Sequence, residues 1–154
     1  MSFSFNNYCK AVRITLKGRS TRSEYWSFFG FSWIYFFLLF ALMALVDNFL
    51  PKVFGKILFA VFVVFFIYTA VVHFCVMVRR LNDTGKSGWW AGSYYILTFL
   101  ANVASVNSYS ADFYSLVIFV FGIVMLVFLC TKSDATTNKY GACPLPMNST
   151  PNSN

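Results

Sequence analysis

The residues best equipped for chemistry lie in one stretch, Arg79-Arg80-Leu81-Asn82-Asp83-Thr84-Gly85-Lys86-Ser87-Gly88-Trp89-Trp90. Its Gly85-Lys86-Ser87 triplet is the end of a phosphate-cradling loop. That loop requires Gly, four residues, then Gly-Lys-Ser or Gly-Lys-Thr, on a strand that leads into a helix, so that successive backbone amides wrap the phosphates. The first glycine would have to occupy position 80, which is Arg80, and an apolar helical run precedes it. The nucleotide reading fails there. As a connector the same letters are coherent. Arg79 and Arg80 complement the negative end of a helix and snorkel to the headgroup layer. Asn82, Asp83 and Gly85 are turn residues, with Gly85 free to take a positive φ. Ser87 suits the cap of the next helix, and Trp89 and Trp90 suit an interfacial aromatic belt.

A second polar cluster, Gly18-Arg19-Ser20-Thr21-Arg22-Ser23-Glu24, offers more guanidinium groups and a carboxylate. Arginine forks match phosphate geometry, so Arg19, Arg22, Arg79 and Arg80, with Lys86, Asp83, Glu24, Trp89 and Trp90 around them, form a candidate interface for anionic phospholipid headgroups or a protein partner. The competing reading is charge that only fixes orientation. Arg79 or Arg80 is the expected partner of Glu24. His73 is a candidate intramembrane polar site, because ionisable groups inside a span are functional candidates by default. No H-E-x-x-H, G-x-S-x-G or paired intramembrane carboxylates occur, so no catalytic residue is assigned. Cys9, Cys75, Cys130 and Cys143 lack metal-ligand or C-x-x-C spacing, and neither metal nor cofactor is expected. Gly88 and Gly92 match G-x-x-x-G, a spacing that lets helices approach closely.

The elements that must position these groups are set by an unusual composition. Hydrophobic residues make up 58% of the 154, charged residues 11%, and there are 20 Phe. A small globule cannot bury that much apolar surface, whereas a bilayer accepts it. Residues 25–46, 57–78 and 113–131 are long apolar runs, the second interrupted only by His73. Each approaches or exceeds the roughly 20 helical residues that cross a hydrocarbon core. Residues 89–108 are uncharged but carry Ser, Asn and Tyr, and read as a fourth, less hydrophobic span. Pro51 separates the first two runs into a hairpin. The expected architecture is therefore all-α, with four transmembrane helices in residues 25–131.

Four crossings place Lys10, Arg13, Lys17, Arg19, Arg22, Arg79, Arg80, Lys86, Lys132 and Lys139 on one side and only Lys52 and Lys56 on the other. The positive-inside rule makes the first side, with both termini, cytoplasmic. The net charge of +7 is then matched to anionic lipid rather than nucleic acid. The cytoplasmic segment 1–24 should contain a short amphipathic interfacial helix over residues 7–17, with Tyr8, Ala11, Val12, Thr15 and Leu16 on one side and Ile14 breaking the pattern. The apolar run at 25–46 is too long for a signal peptide and is read as retained. Residues 132–154, rich in Pro, Ser and Asn towards their end, read as a mostly disordered cytoplasmic tail. Asn148-Ser149-Thr150 fits a glycosylation acceptor that such a location would leave unused.

Three blocks, GRSTRSEYW from position 18, RRLNDTGKSGWW from 79 and NKYGACP from 138, together resemble small bacterial inner-membrane proteins of the YhaH/YhaI type, a family without an assigned function. The likeness extends over most of the chain. Asn82 stands where the family often has His, and Ala135-Thr136-Thr137 stands where a Pro-Gly turn is common. The Ile-Pro pair frequent in the third span is missing. The resemblance implies a multi-pass protein of the bacterial inner membrane and supplies no activity. Three functional readings remain open, in this order: a non-enzymatic protein that binds anionic lipid or a protein partner at its cytoplasmic face, a small oligomeric transporter or channel built on His73 and the polar third span, and a membrane enzyme acting on lipid phosphate. Homo-oligomerisation is compatible with each.

Overall fold

The computed structural model describes residues 3–49, 51–104 and 111–144. Five helices follow one another: α1 (Phe5–Ala11), α2 (Arg22–Phe49), α3 (Lys52–Asp83), α4 (Trp89–Ala104) and α5 (Ala111–Cys130). Among the described residues there is no strand, only an isolated bridge between Asn138 and Gly141. Three helical segments are long and apolar enough to cross a membrane: Arg22–Val46, Lys52–Asp83 and Phe113–Cys130. The 16 residues of α4 reach about 24 Å, short of a core of about 30 Å. The rest of the expected 89–108 span runs into residues outside those described. The Asn148-Ser149-Thr150 acceptor and residues 145–154 of the expected disordered tail also lie outside them.

The chain divides into two compact units, Met1–Thr15 with Ser23–Val76, and Leu16–Arg22 with Met77–Asn154. In the first, α2 and α3 pair as the hairpin that Pro51 implies. Tyr35 meets Phe65 with ring centroids 4.1 Å apart, and Phe36 meets both Phe62 and Phe66. Phe37 and Phe40 turn outward, 72% and 68% exposed, as suits side chains whose solvent is lipid.

The N-terminal helix is shorter than, and displaced from, the expected 7–17. Ser4 caps it by accepting from the Asn6 N–H, and it ends at Ala11, which is fully buried. Aromatic packing sets this register: Tyr8 stacks on Phe28 at 5.7 Å, and Phe3 stacks on Phe31 at 4.7 Å. Gly30 makes room, since a Cβ there would lie 2.5 Å from the Phe3 ring. Ile14 and Leu16, beyond the helix end, are exposed.

In the second unit α4 packs on α5 through rings. Trp90 stacks with Phe121 and meets Phe128 edge-on, and Tyr94 stacks with Phe121. Of the G-x-x-x-G pair only Gly88 is a point of close approach: a Cβ there would lie 2.7 Å from Val78 Cγ1, whereas Gly92 has no such neighbour. Val78, Leu81, Ala91, Met125 and Leu129 are buried in the same unit.

Candidate functional site

The last turn of α3 carries Arg79, Arg80, Asn82 and Asp83, and all four are buried. The helix stops there because the backbone closes a Schellman motif: Lys86 N–H donates to Leu81 C=O at 3.0 Å and Gly85 N–H to Asn82 C=O at 3.1 Å. Gly85 takes φ +72°, the left-handed conformation that this closure demands. Ser87 Oγ then accepts from Trp89 N–H at 3.3 Å and caps α4. The triplet that looked like a phosphate loop is thus a helix stop followed by a helix start.

Asp83 is the centre of the site. One carboxylate oxygen accepts Arg19 Nε at 3.0 Å and the other accepts Arg80 Nη1, with all three side chains almost fully buried. A buried carboxylate between two guanidinium groups is a high-stakes arrangement, because desolvation is offset only when the remaining donors are also satisfied. They are satisfied here by backbone carbonyls and one hydroxyl. Arg80 donates to Leu129 C=O at 3.1 Å, to Thr131 C=O and to Ser133 Oγ at 3.3 Å. Arg22 donates to Cys130 C=O at 3.3 Å. These carbonyls end α5 and have no partner inside it, so the arginines cap that helix and meet the negative end of its dipole.

Arg19 reaches further along the chain. It donates to the carbonyls of Thr136 at 2.7 Å, Gly141 at 3.3 Å, Asp83 at 3.3 Å and Asp134. Asn82 Nδ2 bonds the carbonyls of Leu16 and Gly18 at 3.2 Å each, and Asn138 Nδ2 donates to Asn82 C=O at 3.0 Å. Asp134 N–H donates to Asp83 C=O at 3.0 Å, and Ser20 N–H to Arg79 C=O at 3.1 Å. The result is a clasp. Residues 16–22, the C-terminal ends of α3 and α5, and residues 131–141 are tied through two arginines and one aspartate. The Asp134 carboxylate accepts the Thr136 hydroxyl at 2.8 Å and the Thr136 N–H at 3.2 Å, and these bonds hold its pKa below the usual aspartate value.

Several sequence expectations change in the light of this geometry. Arg19, Arg80 and Asp83 come together, but facing inward. Arg80 is received by the carboxylate of Asp83, from its own helix. Around the clasp, Lys86 sits over the Phe128 ring at 4.2 Å, Trp89 is 79% exposed and Trp90 40% exposed. Lys17, Lys132 and Lys139 are exposed as well. Glu24 and His73 belong to the other unit, where His73 lies among the rings of Tyr25, Phe28 and Phe29 with centroids 6.0 to 6.3 Å away. In α4, Thr98 Oγ1 donates to Tyr94 C=O and Asn102 Nδ2 to Thr98 C=O, so both polar side chains bond their own helix. Ser133 and the tail carbonyls were missed from the sequence. The NKYGACP block was the one signal that residues 138–144 mattered.

The family model described as "Protein of unknown function (DUF805)" matches residues 13–142. Inner membrane protein YhaI of Escherichia coli strain K12 is 26% identical over 131 residues, which cover 85% of this chain and 86% of that protein. The same figures hold for YhaI of Escherichia coli O157:H7. No solved structure matches the chain. The family match takes in Arg19, Arg80, Asp83 and the segment through Gly141, so every member of the clasp lies within it. The chain belongs to the DUF805 family and is a membrane protein related to an inner-membrane protein.

Proposed function

We propose that this is a non-enzymatic inner-membrane protein with four spans and cytoplasmic termini, which binds anionic phospholipid headgroups at its cytoplasmic face. The observation that carries the reading is the rim of the clasp. Arg19 and Arg80 are taken up inside the protein, while Lys17, Lys132, Lys139 and Trp89 are exposed and Lys86 is half-buried. Basic side chains near a membrane surface attract anionic lipid at about 1 kcal/mol each, and tryptophan favours the same depth. The clasp's part is to hold the rim rigid by fixing the ends of α3 and α5. The reading of residues 89–108 as a fourth span keeps all these groups on one side. The other reading, a transporter or channel, would use His73 and the polar groups of α4; Thr98 and Asn102 are already bonded within the helix.

The test is the lipid that accompanies the protein in mild detergent, measured by native mass spectrometry after extraction from a membrane of known composition. Phosphatidylglycerol and cardiolipin should be enriched over phosphatidylethanolamine. Lys86→Gln and Lys132→Gln should each lower the enrichment roughly fivefold, the equivalent of about 1 kcal/mol, with insertion unchanged. Retained lipid that mirrors the bulk membrane would refute the reading. A protein that co-purifies in fixed ratio, displaced by the same substitutions, would turn it towards a protein partner.

A further inference from the structure

Arg19 has a peculiar set of partners. Its Nε is given to Asp83, but its outer amines reach three backbone carbonyls of one short segment, those of Asp134, Thr136 and Gly141. These acceptors are neutral. The nearby carboxylate of Asp134 is hydrogen-bonded to Thr136 and belongs to the same segment as these carbonyls. If that segment lifts, Asp134 leaves with it, and Arg19 and Arg80 are left against the single carboxylate of Asp83. The edge of Arg19 best suited to bidentate recognition of a phosphate is covered only by peptide oxygens.

The covering segment is lightly held. Apart from Arg19, its ties to the rest of the unit include Asp134 N–H to Asp83 C=O and Asn138 Nδ2 to Asn82 C=O, each at 3.0 Å. Ala135, Thr136, Thr137, Lys139 and Gly141 are exposed and Tyr140 is half-buried, so no fully buried side chain has to be uncovered if the segment lifts. Segments with few buried contacts open at low free energy.

We propose that Arg19 is the anchoring guanidinium of a phosphate-binding site, and that residues 134–141 form a strap whose carbonyls occupy the positions a phosphate's oxygens take. Lifting the strap exchanges neutral acceptors for a charged one that matches the fork and the positive charge left behind. The best-fitting ligand is a phosphate monoester, whose terminal oxygens are unblocked; it is supplied either by a lipid headgroup such as phosphatidic acid or by free phosphate. The inference rests on the anionic-lipid reading for its class of ligand, but it concerns Arg19 rather than the rim lysines.

The experiment is hydrogen exchange of peptides covering 134–141, on the full chain in phosphatidylcholine nanodiscs. Three arms add phosphatidic acid, phosphatidylglycerol, or inorganic phosphate in solution. Strap exchange should rise with phosphatidic acid. Asn138→Ala, which removes one strap tie, should lower the phosphatidic acid concentration needed roughly fivefold, because a binding-competent state populated more often binds more tightly. Arg19→Lys keeps the charge without the fork and should abolish the response to phosphatidic acid. A response to inorganic phosphate as well makes free phosphate a ligand of the same site. Exchange indifferent to phosphatidic acid and inorganic phosphate, in wild type and Asn138→Ala alike, overturns the proposal even if phosphatidylglycerol is retained. If phosphatidic acid opens the strap but phosphatidylglycerol is not retained, the strap stands and the rim reading falls. Should Arg19→Lys fail to fold, the comparison of wild type with Asn138→Ala decides alone.

Discussion

Replacing Asp83 with Asn removes the one negative charge shared by two buried arginines and changes almost nothing in shape. At the 3.0 Å separation of Arg19 Nε from Asp83 Oδ1, and an effective dielectric of about 20, the attraction of that pair is about 5 kcal/mol. The pair with Arg80 is lost in the same step, and the two guanidinium groups then face each other across a neutral amide. Neutralising Asp83 also relieves the carboxylate's own desolvation, which returns part of this. The expected net loss is about 3–5 kcal/mol, the range for removing one partner of a buried pair. Against a typical total of about 5–15 kcal/mol, that is a large fraction. The assay is unfolding by SDS titration from mild detergent, followed by tryptophan fluorescence, since Trp90 is stacked on Phe121 in the same unit. Asp83→Glu, which keeps the charge, should lose less. A loss below about 1 kcal/mol for Asp83→Asn would show that the carbonyls of Leu129, Thr131, Asp134, Thr136 and Gly141 hold the arginines without the carboxylate, and the account of the clasp would be wrong.

Two further outcomes follow from local geometry. Gly88→Ala puts a methyl group 2.7 Å from Val78 Cγ1 and should cost about 1–3 kcal/mol in the same titration. Val78→Ala should recover most of that; failure to recover would mean the contact is not what limits the site. The lowered pKa of Asp134 makes its contribution to the strap fully present above the ordinary aspartate value of about 3.9, and lost as pH falls through the lower folded value. Protection factors for residues 134–141 should be flat from pH 7 to pH 5 and fall only below about pH 3.9. A loss of protection already between pH 7 and pH 5 would assign the strap's stability to another group.

The apolar runs were legible because the bilayer imposes them. The expected 25–46, 57–78 and 113–131 lie within or close to α2, α3 and α5. The helices α2 and α3 run past both ends of their apolar segments, since hydropathy marks depth in hydrocarbon while backbone hydrogen bonding continues to the next stop signal. That stop was readable at Gly85, where a positive φ was expected and is found. The wiring of the clasp was not readable. Arg19 meets Gly141 across 122 positions, through a carbonyl that every residue possesses and no letter advertises. Asp83 looked like turn chemistry because its neighbours are turn residues, and only the fold brings Arg19 to its other oxygen. For α1, helical periodicity favoured residues 7–17, but stacking of Phe3 and Tyr8 on α2 outweighed it and placed the helix at Phe5–Ala11.

The clasp also has a direction in time. A chain made from its N-terminus produces Arg19 and Arg80 before it produces Leu129, Thr131, Thr136 or Gly141, the acceptors that satisfy them. Asp83 follows Arg80 by three residues, so the two ion pairs need nothing made later than α3. Only after α5 has been made can the remaining donors of the two guanidinium groups find their carbonyls. The same two side chains are thus incompletely bonded early in biosynthesis and buried fasteners at its end, and the segment that follows α5 completes the change.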